Sequence, residues 1–546
     1  MSRNIAQTSF VLLCSYILWR LLRNFLVRST LSNIPGPPKG SWWKGNFAQL
    51  YNNTCWPFHS EILQKYGTLI KTYGFFGDEY LYVSDPRALH HILVKDQVIF
   101  AKSRTFLLQA VVCFGEGLLG TEGIKLRIQR KLLNPVFSMR HMRGLLPVLT
   151  PVAHQMRDVL KRKVEKGEED IDVQSCVSRA ALEYIGQGGL GYSFDALDES
   201  KTNNYSDSLK MVTTFILPLL TYRQMLPYLM WIPRIVRRKF MEWSPFPGFQ
   251  RIRKVVDTIH MASIQVYMNK KEGLARGDDA IVQQIGKGKD IISILMRANM
   301  ATDDKTRLPE SEVIAQMNTF TIAAHDTATS ATCRVFHQLA LDPKAQARLR
   351  QEILQAYKDN GNEDLDYDTL MSLPYLDGIV RETLRVFPPI PFNLRITNKN
   401  VVLPLLWPIK GKDGNEISEV FVKKGTTVVV GIQAANRNKA IWGEDAEIWK
   451  PERWLSPLPQ SVADAHLPGI YASMMTFLAG GRSCIGFKFA EMEIKLSVST
   501  VLSTFEIAPS PTEEIEWHMR LAQVPTIKGS SDPAPHLPLK VSLVKQ

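Results

Sequence analysis

Apolar positions cluster first at the amino terminus. No charge falls between Asn4 and Trp19, and Leu21, Leu22, Phe25, Leu26 and Val27 continue the run past Arg20 and Arg23. A spanning helix needs roughly 20 residues, and arginines near its end can reach the headgroups, so 5–27 is long enough to cross a bilayer. The competing reading, a cleaved signal peptide, lacks a small-residue cleavage site after Trp19. Arg20, Arg23 and Arg28 outnumber Arg3, an asymmetry that puts the bulk of the chain in the cytosol. Ile34-Pro-Gly-Pro-Pro38, with Lys39 and Gly40, then predicts a stiff spacer over 34–40.

The rest of the chain has no linker, repeat or low-complexity block and reads as one domain over 41–546. Short runs at Leu69–Tyr73, Glu79–Val83, Thr426–Gly431 and Lys540–Val544 predict strands. Helical spacing dominates between 125 and 390. Asp290 stands before Ile291–Met296 as a helix-starting acid, and Ser311–Leu341 runs without Pro or Gly, predicting a long helix. The expected fold is mostly α with a minor β sheet. Two apolar segments read as loops: Phe106–Phe114, and Phe215–Leu220 with Leu226–Pro233, edged by Arg234, Arg237, Arg238 and Lys239. Such segments suit a monotopic membrane contact or the wall of an apolar cavity, with plain buried core the alternative.

Composition narrows the class. Hydrophobic residues make up 45% and charged residues 22%, which excludes a disordered, collagen-like or disulfide-stapled chain. Lys+Arg 66 against Asp+Glu 53 leave +13, a balance suited to an acidic protein partner or an anionic membrane. No nucleic-acid-binding signature accompanies it, so nucleic acid is not an expected partner. Cys14, Cys55, Cys113, Cys176, Cys333 and Cys484 form no C-x-x-C pair and no zinc spacing, as in a reducing compartment. Gly115-Glu-Gly-Leu-Leu-Gly120 is a literal G-x-G-x-x-G, but a glycine content of 33 yields one by chance in roughly one chain in eight, and no ribose-binding acid follows. Neither G-x-S-x-G nor H-E-x-x-H is present, so hydrolase and zinc-protease readings have no anchor.

One pattern carries chemistry. Phe477, Gly480, Arg482, Cys484 and Gly486 stand at a rigid spacing that chance yields in roughly one such chain in ten thousand. Its glycines let the backbone approach a flat ligand closely, and Arg482 suits an anionic group. A metal-bound cysteine must be the thiolate, and backbone N–H groups converging on its sulfur would lower its basicity.

On these residues the sequence resembles the cytochrome P450 superfamily of haem-thiolate monooxygenases over nearly its whole length. The resemblance implies the cytochrome P450 fold behind an N-terminal transmembrane anchor helix. Its cofactor would be haem b, with Cys484 as the axial iron ligand and Phe477, Gly480, Arg482 and Gly486 shaping the loop. Glu382-Thr-Leu-Arg385 matches the family's E-x-x-R helix and Pro451-Glu-Arg453-Trp454 its P-E-R-[FW] element. Glu382, Arg385 and Arg453 would then form a buried charged triad. Ala323-Ala-His-Asp-Thr-Ala328 is similar to the oxygen-activating segment [AG]-G-x-[DE]-T-[TS], with Ala324 in place of Gly and Ala328 in place of Thr or Ser. Asp326 and Thr327 would relay the protons that oxygen activation consumes. Arg130 keeps the arginine of a W/H-x-x-x-R pair whose aromatic donor is replaced by Leu126. With Arg395, it is a candidate for the haem propionates.

The implied enzyme sits in the endoplasmic reticulum membrane as a single-pass protein, catalytic domain facing the cytosol. Electrons would come from NADPH through NADPH–cytochrome P450 reductase, met by basic residues such as Lys488. One oxygen atom from O2 would enter an apolar small molecule. Cavity candidates are Phe106, Leu108, Val112 and Phe114, with Phe320 and Ala324 from the long helix. Ile390 and Phe392 follow from the turn after Arg385. The overall look is closest to fungal microsomal members, which points to secondary metabolism and a terpenoid, although an apolar lining alone fits fatty acyls, polyketides and sterols equally. Two rivals remain: an isomerase or dehydratase of the same fold that needs no O2, and a non-catalytic haem-binding membrane protein. Asp326 and Thr327 count against both.

Overall fold

Val428, Val429 and Val430 are all buried, the pattern of a strand inside a sheet. They belong to Thr427–Gly431, which pairs parallel with Glu79–Val83 and antiparallel with Phe392–Thr397. Leu69–Tyr73 forms one edge through the register Leu69↔Val83, and Phe100–Ala101 forms the other. A hairpin of Val401–Lys410 with Glu416–Val422 completes the strands of this unit. It is built from the described residues up to Lys102, with Phe392–Ala435 and Ser461–Arg482. The computed structural model describes residues 15, 29–200, 225–276, 289–302 and 307–544. Apart from Ser15, the apolar stretch 5–27 lies outside the described residues, as do Phe215–Leu220. Among the described residues no helix is long and apolar enough to cross a membrane.

The proline-rich stretch 34–40 makes specific contacts in this sheet unit. Ile34 is buried, the Lys71 N–H donates to the Pro35 carbonyl at 2.8 Å, and Asn46 Nδ2 donates to the Pro38 carbonyl at 2.8 Å. Extended proline backbone leaves its carbonyls free to accept, so a neighbouring strand can capture it. Gly36 makes the approach possible, because a Cβ there would sit 1.8 Å from the Lys71 carbonyl oxygen.

The second unit comprises Ser103–Pro391, Asn436–Gln460 and the described residues from Ser483 onward. Its axis is the long helix Glu310–Leu341, whose first turn carries Glu310 and Glu312 where the helix dipole favours acids. Val173–Tyr184, Pro247–Arg276, Pro374–Val386 and the cysteine helix Phe487–Leu502 pack against it. Side chains stitch these helices together. Tyr184 and Ser497 share a hydrogen bond of 3.0 Å, and buried Lys495 donates to Asp377 at 2.7 Å. Asp290 caps Ile291–Met300, accepting from the Ser293 N–H at 2.9 Å. A small sheet runs Asp170–Asp172, Pro538–Leu543, Phe505–Pro509. Each of the two units is assembled from several separate stretches of chain.

Both apolar segments read as loops contain helix. Phe106–Phe114 lies in Arg104–Phe114, capped by Ser103, whose hydroxyl accepts from the Phe106 N–H, and ended by Gly115 at φ +88°. Ala110 and Phe114, four apart, are its buried stripe, which is helical spacing. In the described part of the other segment Leu226–Leu229 is helical, and the helix Arg234–Trp243 follows directly after it.

Candidate functional site

The cysteine loop has a part in each unit. In the sheet unit, Gly480 has φ +66°, and a Cβ on it would lie 1.8 Å from the Leu93 carbonyl oxygen, so no side chain fits there. The Gly481 N–H donates to Gln97 Oε1 at 2.7 Å, and Phe477 sets its ring edge-on to Tyr471 at 5.3 Å. Arg395 is buried in the same unit. Its Nη1 donates to Asn393 Oδ1 at 2.6 Å and to the Leu394 carbonyl at 2.9 Å, while Nη2 is buried with no partner. Burial, and then the Arg482 guanidinium, push Arg395 down to about 10. Two guanidiniums that repel each other, one with an unused buried donor, make a site for an anion.

In the helical unit, Cys484 keeps accessible surface, unlike buried Cys55, Cys176 and Cys333. Protein nevertheless crowds it enough that burial raises its thiol pKa, opposed by the Gly486 N–H donating to its sulfur and by the charge of Arg130. Arg130, on Gly123–Leu133, donates to the Ser483 carbonyl at 2.8 Å and its hydroxyl at 3.4 Å. Leu126 of that helix is buried. The Phe137 ring lies 3.6 Å from where a Gly486 Cβ would be and meets Phe320 edge-on at 5.7 Å, joining the cysteine loop to the long helix. The accessible thiol with an N–H on its sulfur fits the thiolate ligand of a haem iron; taken by itself, the Arg395–Arg482 pair of the sheet unit fits a carboxylate.

On the long helix, Ala323 is exposed, and Ala324, Asp326 and Thr327 are half-buried, in a stretch otherwise sunk in protein. Thr327 Oγ1 donates to the Ala323 carbonyl at 2.7 Å. Asp326 Oδ1 lies 2.8 Å from His325 Nδ1, and its Oδ2 is buried without a partner. His325 Nε2 lies 3.0 Å from Ser178 Oγ. Ala328 is core.

Glu382, Arg385 and Arg453 meet in the helical unit. Arg385 Nε and Nη2 donate to the two Glu382 oxygens at 2.9 and 2.8 Å, and Arg453 Nε reaches Oε1 at 3.3 Å. Two partners escaped the sequence reading: the Trp454 indole N–H, 3.0 Å from Oε2, and the Lys450 backbone N–H, 3.1 Å from Oε1. Arg385 Nη1 also donates to the carbonyls of Asn436 and Ala446, and Arg453 Nη2 to Asp445. Gly378 keeps this contact tight, since a Cβ there would lie 2.9 Å from the Pro451 carbonyl oxygen.

The cavity candidates divide. Phe106 and Phe114 lie toward one side of their helix, Leu108 and exposed Val112 toward the other, so the four cannot share one wall. The Phe114 carbonyl accepts from Asn318 Nδ2 at 3.1 Å, tying that helix to the long one. Phe320 is buried; Ala324 and Ile390 are half-buried. Phe392 is instead committed to packing in the sheet unit, stacked on His59 at 5.3 Å and edge-on to Tyr51 at 5.0 Å.

Comparison with known proteins gives these arrangements a family. A model of the family Cytochrome P450 matches residues 35–528, a span that contains every candidate residue. Cytochrome P450 monooxygenase 91 of Postia placenta is 43% identical, with 98% of each chain covered. Cytochrome P450 monooxygenase 81 of the same fungus is 44% identical over 97% of this chain and 96% of its own. A ganoderic acid synthetase of Ganoderma lucidum is 39% identical over 96% of each. The chain belongs to the cytochrome P450 family and is a haem-thiolate monooxygenase that takes its electrons from a redox partner.

Proposed function

We propose that this protein is a membrane-anchored monooxygenase that inserts one oxygen atom of O2 into an apolar secondary metabolite of terpenoid type. Electrons would come from NADPH through NADPH–cytochrome P450 reductase. The observation that carries the reading is the accessible Cys484 thiol with the Gly486 N–H on its sulfur. Haem held there would supply the binding of O2 and the oxidising power.

The chain's own residues do the rest. Gly486 and Arg130 favour the thiolate at Cys484. Arg395 and Arg482, with Arg130, compensate the propionate charges. Glu382, Arg385 and Arg453 hold the segments that lead to the loop. Asp326 and Thr327 pass protons toward the reacting oxygen. Phe106, Phe114, Phe320, Ala324 and Ile390 keep water from an apolar substrate. The ganoderic acid synthetase among the relatives supports a secondary-metabolite substrate.

Residues 5–27 anchor the chain in the endoplasmic reticulum membrane, with the catalytic body in the cytosol. A second feature supports a membrane setting. On Arg234–Trp243, Val236, Phe240 and Trp243 recur at helical spacing and are exposed, Trp243 by 80%, with Trp231 at 87% just before them. Arg238 pins that helix through Asp257 at 2.7 Å and leaves the apolar face outward.

Replacing Cys484 with Ala is expected to abolish the red-shifted Soret band of the reduced carbon monoxide complex; a retained band overturns the ligand assignment. Comparing metabolites of the source organism with its deletion strain tests the reaction. A precursor one oxygen atom lighter than the lost product is expected, and an accumulating species of equal mass would point to an isomerase.

A further inference from the structure

A buried hydrogen-bonded chain stands behind Asp326. Its middle member is His325, 2% exposed, with Nδ1 at 2.8 Å from Asp326 Oδ1 and Nε2 at 3.0 Å from the Ser178 hydroxyl. Ser178 is fully buried on Val173–Tyr184, a different helix. A carboxylate only accepts, so Nδ1 carries the proton of that bond, while Nε2 and the Ser178 hydroxyl share the second one.

Neighbouring residues on a helix diverge by about 100° and do not ordinarily face each other. The contact between His325 and Asp326 therefore needs something to hold the imidazole aside, and Ser178 is the hydroxyl that meets the far end of the ring. The consequence at Asp326 is asymmetric. Oδ1 is occupied, whereas Oδ2 is buried with no partner. Thr327, the next residue, has its hydroxyl on the Ala323 carbonyl.

We propose that His325, pinned by Ser178, is a positioning residue that fixes the Asp326 carboxylate by Oδ1 and leaves Oδ2 as the oxygen that takes up and passes on protons. The proposal rests on the reading of Asp326 as a proton relay and adds the device that aims it. No proton leaves the imidazole in this arrangement; it stays on Nδ1 while the carboxylate cycles.

The test uses the full-length haem protein with its reductase and NADPH, with no organic substrate added. Two quantities are read: hydrogen peroxide released per NADPH oxidised, and the infrared C–O stretch of the reduced carbon monoxide complex. The stretch reports polar groups near the haem without turnover. Asp326→Asn sets the scale, raising peroxide release several-fold and shifting the stretch. His325→Leu is expected to approach it on both readouts. His325→Asn, whose amide N–H can stand near the ring Nδ1, restores most of the wild-type behaviour. Ser178→Ala gives a smaller change in the same direction.

If Asp326→Asn changes neither quantity, the relay reading itself falls. If Asp326→Asn changes both and His325→Leu changes neither, the relay stands and the positioning role is overturned. Equal behaviour of His325→Leu and His325→Asn, with a lowered melting temperature in both, makes the imidazole plain packing and also overturns it. Should His325→Leu fail to fold, Ser178→Ala decides: no change in the C–O stretch or in peroxide release overturns the proposal.

Discussion

Glu382 and Asp326 are both carboxylates on helices of the same unit, and their surroundings are opposite. Glu382 is wholly buried and receives five hydrogen bonds, from Arg385 twice and from Arg453, Lys450 and Trp454. Asp326 has one oxygen on His325 and the other on nothing. A saturated carboxylate has no capacity left for an incoming proton donor and holds its neighbours in one arrangement. A half-saturated one keeps an oxygen that can still accept a hydrogen bond. The degree of hydrogen-bond satisfaction is what most separates the two carboxylates.

That contrast can be broken from either side. The largest effect belongs to Glu382→Ala, which leaves two guanidiniums buried without their anion and is expected to cost about 3–5 kcal/mol, seen as a lowered unfolding midpoint with loss of haem retention. An unchanged midpoint would remove the locking role. Asp326→Asn is expected to do the reverse: product-forming turnover drops by roughly 100-fold, while the unfolding midpoint stays near wild type. Trp454→Phe sharpens the comparison from the locked side. Losing one indole N–H to a charged group should cost about 1–2 kcal/mol and leave peroxide release per NADPH unaltered. Thr327→Ala has the smallest effect, a several-fold rise in peroxide release with no change in melting; equal coupling in variant and wild type would take Thr327 out of the relay.

How far these regions could be read in advance follows from where their partners sit along the chain. The loop around Cys484 is local, so its glycines and arginine are visible as spacing. Glu382 and Arg385 are three apart on one helix, and Arg453 was added through resemblance. Trp454 stood in the same motif, yet its bond to Glu382 depends on how the Pro451–Trp454 turn meets Pro374–Val386, which no local pattern encodes. Ser178 lies 147 positions from His325 and gave no signal at all. Asn393 could have been found, since it shares a strand face with Arg395 two residues on. Apolarity alone makes Phe106–Phe114 look like a loop; the helical signal lies outside it, in Ser103 and Gly115, which start and stop the helix. The boundaries of the two units fall inside continuous patterned sequence, with no linker to mark them.

The interleaving of those units has a consequence for how the protein is made. Glu79–Val83 pairs in parallel with Thr427–Gly431, so one side of that early strand meets its partner only after some 350 further residues have been added. At ribosomal speeds of about 5–20 residues per second, the wait is roughly 20–70 seconds. During that time the half-built sheet presents an open strand edge, the kind of surface that invites pairing with another chain. A truncation anywhere before residue 427 leaves the amino-terminal hairpin permanently unpartnered on that side.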